Sequence, residues 1–385
     1  MADPVELPPD YYLTNFRTLV EFVMAHYQPL LSDEERQFYT AFREVELNSQ
    51  SLYVRLLSRK GVPSSAGALF RQNKLVYAEI DDLRGAADQL IEAGLLLRNP
   101  ELLLGEYLPL FTKAELLTCS PKPLPKTLKR EALELALLEQ SALQKMTARD
   151  LLAAETLLAV QAAQHFETFK LCFFGNLRQS LTDYVLRDLG LYRYEDYPLD
   201  QQHLPFQSRT QIDQHLRYYH CLEQLESTLD AGVEAILALS QQLPPGIDGD
   251  ATLNRRLDRL RLELARQLER LEALDAAEQL YRRCSRPPAR ERRARIAVKR
   301  GDIDTGLSLC REILAAPNNE EERVFAESFG YRTAKREQRL QGWEPPPQYQ
   351  PPVQTVVLPQ TPERMELLAA AYLEDRLATG RERWR

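Results

Sequence analysis

The chain has 385 residues, enough for two or three domains, and its 44% hydrophobic and 8% aromatic content argues against global disorder. Its net charge of −7 excludes a uniformly basic nucleic-acid coat, so any contact with DNA must come from local patches. No basic start leads into an apolar run, no stretch approaches about 18 uninterrupted apolar residues, and the five cysteines form no C-x-x-C pair, so a cytoplasmic protein with reduced thiols is expected.

Leu13, Phe16, Val20, Val23 and Tyr27 fall at helical spacing over residues 11 to 27. Ser32 followed by Glu35 is a capping box, opening a helix that buries Phe38, Phe42 and Val45. A third helix begins near Leu52, with Asn48, Ser49 and Ser51 as candidate caps. It puts Arg55, Ser58 and Arg59 on one side and Tyr53, Leu56 and Leu57 on another. Gly61, Pro63 and Gly67 break it, and Leu69 to Tyr77 reads as a short hairpin carrying Arg71 and Lys74 beside its turn. Ile80 to Ala93 is the next helix, closed by Gly94. Helices plus a hairpin give a winged-helix-like domain. Its cations, Arg55, Arg59, Lys60, Arg71 and Lys74, fit either a solvated surface or a grip on phosphates.

Two short helices around a Pro-rich loop follow between Leu110 and Leu138, with Lys122, Lys126, Thr127, Lys129 and Arg130 clustered at the second helix's start. Such a start can hold phosphate, and a solvated connector is the alternative. Asp150 to Leu189 reads as long-helical, with Leu157, Val160, Phe166 and Phe169 supplying core bulk. Leu253 to Leu314 contains a leucine stripe and two similar helix starts, Asp275–Tyr281 and Asp304–Cys310, that suggest a TPR-like stack. A dense run of arginines from Arg282 to Arg300 lies within it, read as a solvated face with a DNA-facing role as the alternative. Prolines then mark a stiff connector, with a helix from Glu363 to Thr379 beyond it.

YLTNF at 12 to 16, LYVRLLSRK at 52 to 60, FRQNKLVY at 70 to 77 and AGLL at 93 to 96 come in order and together resemble the N-terminal domain of the Fanconi-associated nucleases, most closely the bacterial members. The resemblance is strong over residues 11 to 140 and rests more on architecture beyond them. It implies a mostly α fold: a winged-helix-like DNA-binding domain with a small β-hairpin (1–108), a SAP-like DNA-binding module (109–145), a helical connector (146–250), a TPR-like helical domain (251–340), and a Pro-rich linker and helix leading to a nuclease domain (341–385). It implies a structure-specific repair nuclease, cutting near 5′ flaps with 5′→3′ exonuclease action in cross-link repair, and a chain positioned at the bacterial nucleoid when bound to DNA. The cations named above are then its expected contacts to branched DNA.

The family's catalytic core uses an Asp followed by Glu-x-Lys to hold Mg²⁺ or Mn²⁺. None of the ten lysines here has a Glu two residues before it. No cofactor is therefore expected in this portion, and the 385 residues are expected to be inactive alone. No phosphate-binding glycine loop, nucleophile elbow or H-x-x-x-H pair occurs either. The rival reading is a helical adaptor whose TPR-like groove binds a protein partner.

Overall fold

The computed structural model describes residues 8, 10–120, 124–140, 155–179, 203–346, 370–372 and 374. The expected linker and the helix at Glu363 to Thr379 lie almost wholly outside them, and so does Lys122. The fold is mostly helical with one small sheet, in two compact units that meet in sequence at Arg286 and Pro287, inside the span read as one TPR-like domain.

In the first unit, α1 (Tyr11–Tyr27) buries Leu13, Phe16, Val20, Val23 and Tyr27, the predicted stripe. The capping box forms: at the start of α2 (Asp33–Glu44), Ser32 Oγ accepts from the Glu35 amide and Glu35 Oε2 accepts from the Ser32 amide. Helix α3 (Leu47–Ser58) starts earlier than expected. Ser49 and Ser51 therefore lie buried inside it, and the Gln89 amide oxygen accepts from the Glu46 backbone and the Ser49 hydroxyl instead.

Two expectations change here. Strand β1 (Leu69–Arg71) does not fold back on residues 75 to 77; a 3-10 turn, Gln72–Lys74, follows it. Its partner is β3 (Leu157–Val160), central in a three-stranded antiparallel sheet with Leu69 opposite Ala159 and Arg71 opposite Leu157. On the other side Leu96 of β2 (Leu96–Arg98) faces Val160. The long-helical reading of residues 150 to 189 thus fails at Leu157 to Val160. Four buried apolar residues between two strands need no alternation, so their pattern cannot separate strand from helix. Gly67 makes the close approach to β3: its φ is +108°, and a Cβ there would meet the Val160 carbonyl oxygen at 2.2 Å.

Helix α4 (Leu83–Glu92) is capped by Asp82 and ends at Gly94 (φ +72°), which turns the chain into β2. Short helices α5 (Leu104–Tyr107), α6 (Lys113–Cys119) and α7 (Arg130–Leu138) share a small core of Tyr107, Phe111, Leu116, Leu133, Leu137 and Leu157. Helix α8 (Ala163–Phe174) returns to α1, setting Phe166 at 4.7 Å from the Phe16 ring, which lies 4.6 Å from Phe42. Buried Glu35 accepts from Thr168 on α8 at 2.7 Å and pairs with Arg209 at the start of α9 (Arg209–Glu223), so one carboxylate ties three helices. Helices α10 (Leu225–Ala231), α11 (Val233–Gln242), α12 (Ala251–Arg270) and α13 (Leu274–Arg282) complete the unit, α12 burying the leucine stripe.

The second unit stacks α14 (Ala289–Lys299), α15 (Ile303–Ala315) and α16 (Glu320–Arg336) around Leu307, Cys310, Ile313 and Trp343. Arg290 pairs with fully buried Glu322 at 2.6 Å and donates to the Ala316 carbonyl, while Arg295 lies over the stacked rings of Phe325 and Phe329. Arg290 and Arg295 of the arginine run are thus spent on joining this unit's own helices.

Candidate nucleic-acid interface

Arg55 sits on the outer flank of α3, and its side chain is only 31% exposed. Its guanidinium lies 3.8 Å from the centre of the Tyr12 ring and donates through Nε (2.7 Å) and Nη2 (2.6 Å) to Glu79 Oε1. The Tyr12 hydroxyl donates to the same oxygen at 2.9 Å. Burial alone would raise the Glu79 carboxyl, but its own backbone amide, Arg55 and Tyr12 together outweigh it and hold the group below its usual range. Burial pushes the Tyr12 phenol up. Arg55 is therefore balanced by a carboxylate within this chain.

One turn further along, Arg59 is exposed and donates from Nη1 to the Tyr77 hydroxyl at 2.9 Å. Its guanidinium stands 5.8 Å from that ring's centre, and Arg55 stands 5.6 Å from it. Tyr77 and Glu79 lie on the segment after the 3-10 turn, so the end of α3 and this segment face each other across an aromatic ring. Lys60 and Lys74, at the two edges, are exposed.

Arg71 and Arg130 do something else. Arg71 is 11% exposed, donating to Glu155 at 3.0 Å and Glu115 at 2.9 Å, and it reaches the Leu110 carbonyl. Arg71 holds the Glu115 carboxyl down to about 2, helped by the Thr112 amide. Arg130 pairs with Glu134 and donates to the carbonyls of Leu108 and Pro109. Both arginines thus fasten to the single turn Leu108–Leu110, one from the sheet and one from α7. That shared anchor brings the two predicted patches onto adjoining parts of one unit. Exposed Lys74 follows the first anchor by three residues, and exposed Lys126, Thr127 and Lys129 precede the second.

Sequence reasoning named the cations and missed what holds them. Glu79, Tyr12 and Tyr77 are the partners; Tyr12 and Tyr77 lay inside the quoted motifs, whereas nothing local marks Glu79 as the partner of a residue 24 positions earlier. The arrangement offers phosphate-sized cations around a rigid aromatic centre, which suits binding and supplies no nucleophile. Among the described residues no group of three or more His, Cys, Asp or Glu could hold a metal ion, and no helix is long and apolar enough to cross a membrane.

Residues 10–97 match the family model described as FAN1, HTH domain. A Fanconi-associated nuclease 1 homolog from Pseudomonas aeruginosa is 34% identical over 334 residues, covering 83% of this chain. Residues 10–97 thus carry the HTH domain of the Fanconi-associated nucleases, and over most of its length the chain resembles that family's bacterial members. It spans 56% of the length of that bacterial relative. A rice homolog is 38% identical over 85 residues, 22% of this chain and 8% of the relative. The fold also superposes on paFAN1 bound to 2-nt 5′ flap DNA with a gap, at a TM-score of 0.79 and 29% identity, over 96% of this chain and 66% of that one. The 1-nt flap complex gives 0.75 over 95% and 66%. Arg55, Arg59, Lys60, Arg71 and Lys74 lie inside the HTH match, and Lys126 to Arg130 lie beyond it.

Proposed function

We propose that these residues are the DNA-recognition and scaffold portion of a structure-specific repair nuclease, binding branched or 5′-flap DNA by its phosphate backbone. The observation that carries this is the pair of exposed cation patches, one inside the HTH match, both fastened to Leu108–Leu110 in a fold that superposes on a flap-bound relative. Lys60 and Lys74 flank the first patch, and Lys126 and Lys129 form the second, with Arg59 held between helix and segment. Contacts of this kind read shape more than sequence, because phosphates are the same at every base pair. Lys122 belongs to the proposed set by sequence.

For the intact protein the reading is a metal-dependent DNA phosphodiesterase acting near 5′ flaps, with 5′→3′ exonuclease action, in cross-link repair at the bacterial nucleoid. Mg²⁺ or Mn²⁺ would be its cofactor, and the missing Glu-x-Lys supports placing cleavage outside these 385 residues. The test is a filter-binding titration of this chain against flapped and plain duplex of equal length at two salt concentrations. Tighter flap binding that weakens steeply with salt is expected. Equal, salt-insensitive retention of both would refute the reading.

A further inference from the structure

We infer that Tyr12, Arg55 and Glu79 form a charge-neutral clamp that positions Arg59 for phosphate, so that Arg55 acts through geometry and contributes no phosphate contact of its own. The inference rests on the DNA-binding reading above and deepens it by dividing the cations at the end of α3 into one that positions and one that contacts.

Arg55 places two nitrogens on one Glu79 oxygen and a flat face on Tyr12, and that oxygen also receives the Tyr12 hydroxyl. A phosphate could take Arg55 only by leaving Glu79, 17% exposed, without its counter-charge. A guanidinium already neutralised in the free protein also releases few counterions when DNA arrives. Arg59 differs: it is exposed, and its guanidinium's one hydrogen bond among those described is to a phenol hydroxyl, so its charge has no carboxylate partner there.

The link between the two is Tyr77. Glu79 lies two residues after it, so fixing the carboxylate fixes the backbone that carries the ring. That ring's hydroxyl in turn accepts from Arg59, while Arg55 packs near the ring's face. Without the clamp, Arg59 remains charged but loses its fixed direction, and ordering it again on DNA costs side-chain entropy. Affinity should fall while the number of phosphates neutralised stays the same.

The probe is a fluorescent 5′-flap duplex titrated with the full 385-residue chain over a series of KCl concentrations. Arg55→Met with Glu79→Gln removes the clamp without changing net charge. It should weaken binding about fivefold, the scale of one lost hydrogen-bonded constraint, and leave the salt slope unchanged. Arg59→Ala should weaken binding and lower the slope by about 0.9, one phosphate. Adding the clamp pair to Arg59→Ala should then change little, because the clamp works through Arg59. A purely structural pair would give additive losses. Tyr77→Phe, which keeps the clamp and deletes only the acceptor of the Arg59 bond, is the second variant if the double one unfolds; it should repeat the loss at constant slope. A slope drop of about 0.9 in the clamp variant would put Arg55 on a phosphate and overturn the inference. Full additivity with Arg59→Ala, or unchanged affinity, would overturn it too. A wild-type chain that does not bind the flap removes the DNA-binding reading and the clamp together; a binding wild type with any of those three results removes the clamp alone.

Discussion

Arg71→Met separates holding the fold from holding DNA. The guanidinium joins Glu155, whose side chain is 6% exposed, to Glu115, which is 32% exposed. After the change, Glu155 keeps only the Asn73 amide (2.8 Å) and the neighbouring Thr156 amide (3.3 Å) for its charge. Losing a charged hydrogen bond at so buried a carboxylate costs about 2–3 kcal/mol. For Glu115, a folded value of about 2 against an ordinary value near 4.3 corresponds to about 3 kcal/mol at most. Solvent screening at a third exposure, and the Thr112 bonds that survive, cut the share lost to about 1 kcal/mol. The sum is about 3–4 kcal/mol, read by urea unfolding of the whole chain at pH 7. The sign with pH follows from the depressed carboxyl. Its stabilisation is complete above about 4.3 and is lost as pH falls toward about 2. The variant's acid limb should therefore be flatter there than the wild type's. A variant with unchanged unfolding midpoint and a salt slope smaller by about 0.9 would show Arg71 on DNA and refute this account of it.

Lys60→Ala with Lys74→Ala should leave the unfolding midpoint unchanged and reduce the salt slope of flap binding by about 1.8, two phosphates; an unchanged slope places both lysines off the DNA. Buried His215 lies between Arg256, which can only donate and so requires Nδ1 as acceptor, and Asp250 at 3.0 Å, which accepts from Nε2. Burial lowers its pKa first, with Arg256 acting in the same direction against Asp250, so the unfolded chain takes the proton more readily. The stabilisation is complete above about 6.5 and falls as pH drops below it. His215→Gln should remove that slope from unfolding midpoints measured between pH 5 and 7.5. Gly330→Ala would put a Cβ 2.1 Å from the Trp343 ring, an overpacking cost of about 1–3 kcal/mol for the second unit, seen as an earlier thermal transition in tryptophan emission on a Trp384→Phe background. An unmoved transition would mean that ring has room to shift.

What the sequence made legible was local. Ser32 and Glu35 announce a cap by their spacing alone, and the stripe from Leu253 to Leu268 marks the buried face of α12, whereas Leu271, read as its continuation, lies exposed at the helix's end. The unread parts depend on partners far along the chain. Strand β1 is three residues long and takes its register from Leu157 to Ala159, with Arg71 opposite Leu157, 86 positions on. The first domain's aromatic core needs Phe166 from α8 beside Phe16. At the interface, the motif gave Arg55 and Arg59 as equals, because both lie on one helix flank. Only Glu79 and Tyr77, brought in by the turn after β1, distinguish a balanced guanidinium from an open one.

The central claim is that the front of this chain grips the DNA junction, and photocrosslinking tests it most directly. A benzophenone amino acid placed at Arg59, at Lys74 and, as a control, at Glu226 would be irradiated with a labelled 5′-flap duplex. The account predicts crosslinks to strands near the branch from the first two positions and none from the third. Crosslinks from Glu226, with positions 59 and 74 silent, would contradict it.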